Sequence, residues 1–250
     1  MAEIAPYAFW DCQEGTGTTI TSQGDHIISL DLVGSAPWSR STWVTLDGTN
    51  YFTKALSSLT TAQRAFLSPG DGVLLFWSQI FLDSGDNYAP VTANTVTPIA
   101  IGANTGATAL CHSRINLPGL SGGLNRARFR DASTFVDVSS GPAGSRDDTA
   151  DIFMAVCDNR TPNKTAYFFR NRNPKTGNTD ITSMGTITMS GGDEHLRVGG
   201  STGSASVLEF PFVSQLRNIG IMNLGTSMPL GIDNYIQELM QNNGVPTELR

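Results

Sequence analysis

The feature that most constrains the fold is a pair of apolar runs joined by a short polar loop at 151–170, DIFMAVCDNRTPNKTAYFFR. Along the first run Ile152, Met154 and Val156 alternate with Phe153, Ala155 and Cys157, so both sides of an extended strand would be apolar. A strand of that kind has to be covered on both faces. The polar residues 158–165 turn the chain, and Ala166–Phe169 return as the partner strand. The segment predicts a hairpin from the interior of two packed sheets, with loops over one outer face.

The rest of the chain follows the same pattern. Most apolar segments are short, rich in β-branched and aromatic residues, and bounded by Gly, Asn, Asp or Pro, which is the signature of strands. Strands are expected near 6–11, 17–21, 27–31, 42–46, 50–53, 73–82, 96–101, 108–117, 126–130, 133–138, 151–158, 165–170, 184–189, 195–199 and 207–221. Close spacing without β-α alternation points to an all-β sandwich or barrel. Two segments break the pattern. SSLTTAQRAFL (57–67) reads as a short helix capped by Ser58 or Thr60. PLGIDNYIQELMQNNG (229–244) is the stronger helix, with Ile232, Ile236, Leu239 and Met240 on one face. No repeat or linker appears, and a single domain over 1–250 is expected.

Composition narrows the function classes. Charged residues make up only 15% of the 250 residues, lysine occurs three times, and the formal net charge is −6. That balance argues against a general nucleic-acid binder while leaving room for a local basic patch. Three cysteines without a C-x-x-C pair suggest neither a disulfide framework nor a zinc site, and Cys157 reads as a small core residue. The N-terminal stretch lacks the pattern of a secretory signal, and no apolar run approaches a membrane span of ~20 residues. Asn159-Arg-Thr and Asn163-Lys-Thr match the glycosylation sequon but read as turn residues.

Catalytic groupings are missing from the sequence. A glycosidase needs two carboxylates facing one another across the sugar. The densest acidic stretches, SRDDTAD (145–151) and GGDEH (191–195), both read as loops, and the three histidines stand in unrelated contexts. No metalloprotease, nucleophile-elbow or phosphate-loop motif occurs. The residues Asp83, Asp86 and Asn87 with Tyr88, in LDSGDNYAP (82–90), form either an ordinary turn or a contact for an ion or glycan. In NRARFRD (125–131), Arg126, Arg128 and Arg130 alternate with Ala127 and Phe129, so they share one face of a strand at ~7 Å spacing. Either carboxylates such as Asp131 or Asp137 compensate them across the sheet, or the face meets an acidic partner, a protein subunit or an anionic glycan.

Five motifs in order carry a resemblance. They are YAFWDCQEGTGTTITSQGDH (7–26), WVTLDGTNYFTKA (43–55), VLLFWSQIFLD (73–83), DIFMAVCDNRTPNKTAYFFRN (151–171) and HLRVGGSTGSASVLEFPFVSQLRNIGIMNLGTSMPLGIDNYIQELM (195–240). Their order resembles the laminin-G-like, or concanavalin-A-like, jelly-roll family. Asp11-Cys12-Gln13-Glu14 departs from its usual Leu-Asp-Glu, and FPFVSQLRNIGIMN lacks the aspartate of its closing strand. The resemblance implies a two-sheet antiparallel jelly-roll sandwich with one or two short helices, one of them near the C-terminus. Many members bind calcium through loop carboxylates, which here would be Asp83 and Asp86; the residues themselves imply no cofactor. The absence of a secretion signal and of catalytic groupings points to a non-enzymatic bacteriophage virion protein made in the host cytoplasm. It would be a decoration, fibre or collar component. It would touch capsid or tail subunits and form a homo-oligomer, a trimer by resemblance to viral jelly rolls. The alternative is a carbohydrate-binding, lectin-like module that recognises host surface glycans.

Overall fold

The computed structural model describes residues 5–35, 38–40, 43–81, 95–103, 109–116, 124–130, 134–142, 150–162, 164–170, 177–187, 189, 192–202, 208–209, 213–226, 232–242 and 244–246. With strands numbered along the chain, the doubly apolar run is β14 (Ala150–Asp158), antiparallel to β15 (Thr165–Arg170) on one side and β8 (Val73–Phe81) on the other. The expected hairpin is present, with Cys157 opposite Ala166 and Val156 opposite Tyr167. This first sheet runs β16 (Gly177–Asp180), β15, β14, β8, β20 (Val213–Gly225), β1 (Tyr7–Trp10) and β3 (Gln23–Gly24). Beside β20 it also carries β6 (Trp43–Asp47), which pairs with β5 (Trp38–Arg40).

The second sheet runs β13 (Phe135–Pro142), β12 (Leu124–Arg130), β11 (Ala109–Asn116), β10 (Ile99–Ala103), β17 (Glu194–Val198), β7 (Tyr51–Ala55), β4 (Ser29–Val33) and β2 (Thr19–Thr21). Strand β9 (Thr95–Val96) lies beside β11, and β18 (Ser201–Thr202) pairs with β19 (Leu208–Glu209). Every pairing among the described strands is antiparallel, and the architecture is a two-sheet jelly-roll sandwich.

Packing explains the double apolar pattern of β14. Phe153, Ala155 and Cys157 point into the sandwich with Leu74 and Phe76 of β8, and meet Ile101, Phe129, Val138 and Leu196 of the second sheet. Phe76 and Phe129 join the sheets edge to face, with ring centroids 6.0 Å apart. Ile152, Met154 and Val156 point the other way, into a second cluster with Val73, Leu75, Trp77 and Met222. That cluster is closed by Ile236, Leu239 and Met240 of α2 (Ile232–Gln241), so a helix covers the outer face where loops were expected. Cys157 is fully buried, and burial pushes its thiol up to about 12.

Trp77 anchors this outer layer. It is fully buried, and its indole N–H donates to the carbonyl of Gly244, just beyond α2, at 2.9 Å. The ring lies on Gly220 of β20, where an added Cβ would fall 1.9 Å from the indole. Strand β20 changes partner beside this contact. Val213–Leu216 pair with β6 and Ile219–Met222 pair with β1. Between them the ladder to β8 is irregular, and Asn218 takes a positive φ of 50°. The side-chain carbonyl of Gln79 accepts from Arg217 Nε at 2.9 Å and Asn218 Nδ2 at 2.8 Å and fixes this bend.

The short helix is α1 (Thr61–Phe66). Thr60 is its cap, in a capping box with Gln63. Among the described residues no helix is long and apolar enough to cross a membrane. Three expected strands differ. The one expected at 96–101 is divided between β9 and β10. Among the described residues of 184–189 only Ile187 makes a bridge, to Gly70, while Met184, Ile187 and Met189 fill the sandwich as apolar residues. The expected strand at 207–221 is divided: Leu208–Glu209 belongs to the small hairpin, and the long strand starts at Val213 and runs on to Gly225.

Gly220→Ala is expected to lower stability by about 3 kcal/mol in urea denaturation, because the indole cannot be displaced from a closed layer. Trp77→Phe removes the ring portion that meets Gly220 and leaves the Gly244 carbonyl without its donor. The loss from Gly220→Ala should then be smaller in the Trp77→Phe background. A second expectation concerns pH. The His26 imidazole stacks on Phe66 at 4.2 Å, and burial lowers its pKa against the opposing charge of Asp25. The folded state therefore favours the neutral ring, and its contribution is complete above the unfolded pKa of about 6.5 and is lost as pH falls below it. The fall in melting temperature between neutral and mildly acid pH should be shallower in His26→Phe.

Candidate functional site

Strand β12 carries the candidate surface. Ala127 and Phe129 are fully buried in the sandwich, so strand alternation assigns Arg128 to the outer face of the second sheet, with positions 126 and 130 in phase with it along β12. Register then sets their neighbours. Arg128 lies between His112 of β11 and Asp137 of β13. Arg126 lies between Arg114 of β11 and Ser139 of β13, and Arg130 lies opposite Phe135.

Arg128 and Arg126 have different neighbours in register. Arg128 is paired with Asp137, its Nε 2.7 Å from Oδ1 and its terminal nitrogen 2.8 Å from Oδ2. The two side chains are 23% and 25% exposed, so the pair is only partly screened by solvent. Arg126 has another arginine directly across one strand boundary and a neutral serine across the other. Like charges placed opposite each other in a sheet destabilise it unless an anion lies between them.

Arg128 and Asp137 belong to a register row that crosses the whole sheet. It passes through Thr19, Asp31, Thr53, Arg197, Ala100, His112, Arg128 and Asp137. Arg197 is buried, at 3% exposure, beside the small Ala100. Burial pulls its guanidinium down to about 10, with Tyr51 and Asp193 opposing, so it still carries its charge at neutral pH. Asp31 also holds Lys54 at 3.1 Å.

The sequence-predicted residues are distributed unevenly. Arg126, Arg128 and Arg130 share one strand face, and the expected compensation by Asp137 is made by Arg128. Asp83, Asp86, Asn87 and Tyr88, and with them the calcium expectation, lie outside the described residues. Among the described residues no group of three or more His, Cys, Asp or Glu side chains is placed to hold a metal ion. The acidic stretch at 191–195 is not wholly a loop, since Glu194 and His195 begin β17 and Glu194 is buried. Asn159 is also buried, its amide nitrogen donating to the carbonyls of Gly70 and Gly185, so its sequon serves as a turn in the folded chain. Sequence reasoning missed Arg114 and Arg197. The alternation of His112 with Arg114 was present in the sequence, but only register shows that Arg114 stands opposite Arg126.

No protein-family model matches the chain, and no curated protein matches it by sequence. Solved structures do. The CBM40 module of the Ruminococcus gnavus IT-sialidase is similar at a TM-score of 0.52 and 16% identity, over 81% of this chain and 97% of that one. The same module bound to alpha2,3 sialyllactose gives a TM-score of 0.51 at 13% identity, over 79% and 96%. The binding domain of botulinum neurotoxin serotype G gives 0.54 at 10% identity, over 94% of this chain and 50% of that one. At these identities the likeness shows the β-sandwich fold alone.

The Arg128–Asp137 pair is expected to give a coupling energy of about 1 kcal/mol in a double-mutant cycle with alanine at each position. The coupling should shrink in about 1 M salt, read from urea denaturation midpoints.

Proposed function

We propose that the chain is a non-catalytic, lectin-like carbohydrate-binding module whose ligand is an oligosaccharide bearing a carboxylate. The observation that carries this reading is the register of β11 against β12, which sets Arg114 opposite Arg126 with no acidic residue across the next boundary. Guanidinium groups match a carboxylate bidentately and are readily desolvated, which makes arginine the suited cation for such a ligand. Arg128, held in place by Asp137, is a fixed neighbour two residues along the strand, its own charge largely met within the protein. A module of the same fold bound to sialyllactose, an acidic sugar, supports the same direction.

The bacteriophage structural role draws on composition. None of the three similar structures is a virion protein, and no feature of the described fold favours that role over sugar binding.

The test is calorimetric titration with sialyllactose and with lactose, which differ by the acidic sugar. Sialyllactose is expected to bind at least tenfold more tightly, a difference of about 1.4 kcal/mol, and to weaken as salt rises from about 50 mM to about 500 mM. Arg126→Ala should remove most of that preference, and Arg114→Ala with Arg126→Ala all of it. Equal binding of the two sugars, or an unchanged preference in the double variant, would overturn the acidic-ligand reading. Release of lactose from sialyllactose would overturn the non-catalytic one.

A further inference from the structure

The first sheet holds a separate recess. Where β8 begins and β14 and β20 end, an open cleft of about 500 Å³ is lined by Asp71, Asp158, Arg160, Thr161, Pro162 and Thr226. This lies within the ~300–1,000 Å³ typical of small-ligand sites. None of its lining residues belongs to the second sheet, which carries the arginine face.

The walls are fixed to one another by backbone contacts. The Asn159 N–H donates to the Gly72 carbonyl at 2.9 Å, and the Gly70 N–H donates to the Ile187 carbonyl at 3.0 Å. Gly72 approaches Gly225 so closely that a Cβ on Gly72 would lie 2.5 Å from the Gly225 carbonyl oxygen. The fully buried Asn159 ties the same crossings through its side chain, with Nδ2 2.5 Å from the Gly70 carbonyl oxygen. Lys164 Nζ donates to the Met184 carbonyl at 2.8 Å and secures the far side of the loop. A recess built this way is formed before any ligand arrives, which reduces the ordering cost of binding.

Charge decides what it can take. Asp158 is almost buried, and both of its carboxylate oxygens are held by Arg160, at 2.8 Å from Nε and 2.6 Å from the terminal nitrogen. That pair is neutral as a unit. Asp71 is exposed and accepts from the Thr186 hydroxyl at 3.0 Å through one oxygen. Its second oxygen takes no hydrogen bond from a described residue. The Asp71 carboxylate repels an acidic sugar, and with Asp158 held by Arg160 it is the one open carboxylate among the described lining residues, too few oxygen ligands for a metal ion. What remains is the open oxygen of Asp71 and the two-way hydroxyls of Thr161 and Thr226, next to the apolar ring of Pro162. Neutral polyols present that mixture of O–H donors, oxygen acceptors and C–H faces.

We infer that this cleft binds a neutral, hydroxyl-rich sugar unit, with Asp71 accepting from its hydroxyls, as a subsite distinct from the arginine face. It deepens the carbohydrate-binding reading but does not depend on the acidic ligand. The experiment is amide chemical-shift mapping of the full chain, titrated with the neutral methyl glycosides of glucose, galactose, mannose and fucose. At least one should shift the amides of 70–72, 158–161 and 225–226 saturably below about 50 mM, the weak range expected of a single sugar unit. Asp71→Ala, a surface change, should weaken that titration at least tenfold, and Asp71→Asn should weaken it less because the amide oxygen still accepts. Shifts at 112–114 and 126–128 report the other site, so failure of one reading is visible apart from failure of the other. The inference is overturned if none of the four sugars moves the cleft amides, or if Asp71→Ala leaves the titration unchanged. It is also overturned if a cleft-bound glycoside is hydrolysed, since Asp71 and Asp158 would then be a catalytic pair.

Discussion

The structure depends on one sheet being buried from both sides. Strands β8, β14 and β20 are apolar on each face, and neither face is stable unless its cover is in place. The inner cover is the second sheet, and the outer cover is α2. Trp77 links the two requirements, because its ring is the floor on which the helix segment closes and its N–H holds the chain just past the helix. Gly220 is dictated by that ring and not by any turn, since its backbone lies in a strand and the conflict there is one of space. The bend at Asn218 follows, since β20 must leave β6 and join β1 while keeping Gly220 beneath the indole.

The outer face of the second sheet is covered at Ala100 of β10 and Arg197 of β17, while Arg128 of β12 is partly exposed. On β12 the buried residues Ala127 and Phe129 do the packing and the residues between them carry charge, so one strand serves both purposes without conflict. The outer face of the first sheet has no such freedom where α2 lies on it. Its polar chemistry is displaced to the strand ends, where the loop after β14 and the turn before β8 meet. The two candidate sites are therefore separated by the packing scheme, one on a sheet face and one at a strand-end rim, with opposite local charge character.

Much of the fold was legible in the sequence because strand periodicity and the double apolar run are local signals. The β14–β15 hairpin, the α2 face of Ile236, Leu239 and Met240, and the Thr60 cap could all be read from neighbouring residues. The cover of the outer face could not, because assigning α2 to it needs a contact between residues near 77 and near 240. The apolar residues Met184, Ile187 and Met189 were read as a strand since burial alone suggests one, whereas they fill the sandwich from a loop. The arginine face was half legible. Alternation gave Arg126, Arg128 and Arg130, but the partner of each is set by register between strands, which a single sequence does not encode in any local pattern. The cleft was invisible for the same reason, since Asp71, Asp158 and Thr226 come from three distant segments.

The proposed reading sets an anionic ligand on a chain with a net charge of −6, and distance reconciles the two. At physiological ionic strength the interaction between exposed charges is largely screened beyond ~8 Å, about one strand spacing and a half. A ligand on β11–β13 therefore responds to the residues of those strands far more than to the total. Over 109–142 the sequence holds four arginines, Arg114, Arg126, Arg128 and Arg130, against Asp131 and Asp137, so the local balance is positive. Asp137 is committed to Arg128, and the register sets position 114 of β11 opposite position 126 of β12. Under the proposed acidic-sugar reading, the overall negative charge would select against bulk polyanions such as nucleic acid, whose phosphates would extend beyond these strands, and leave a short acidic sugar favoured.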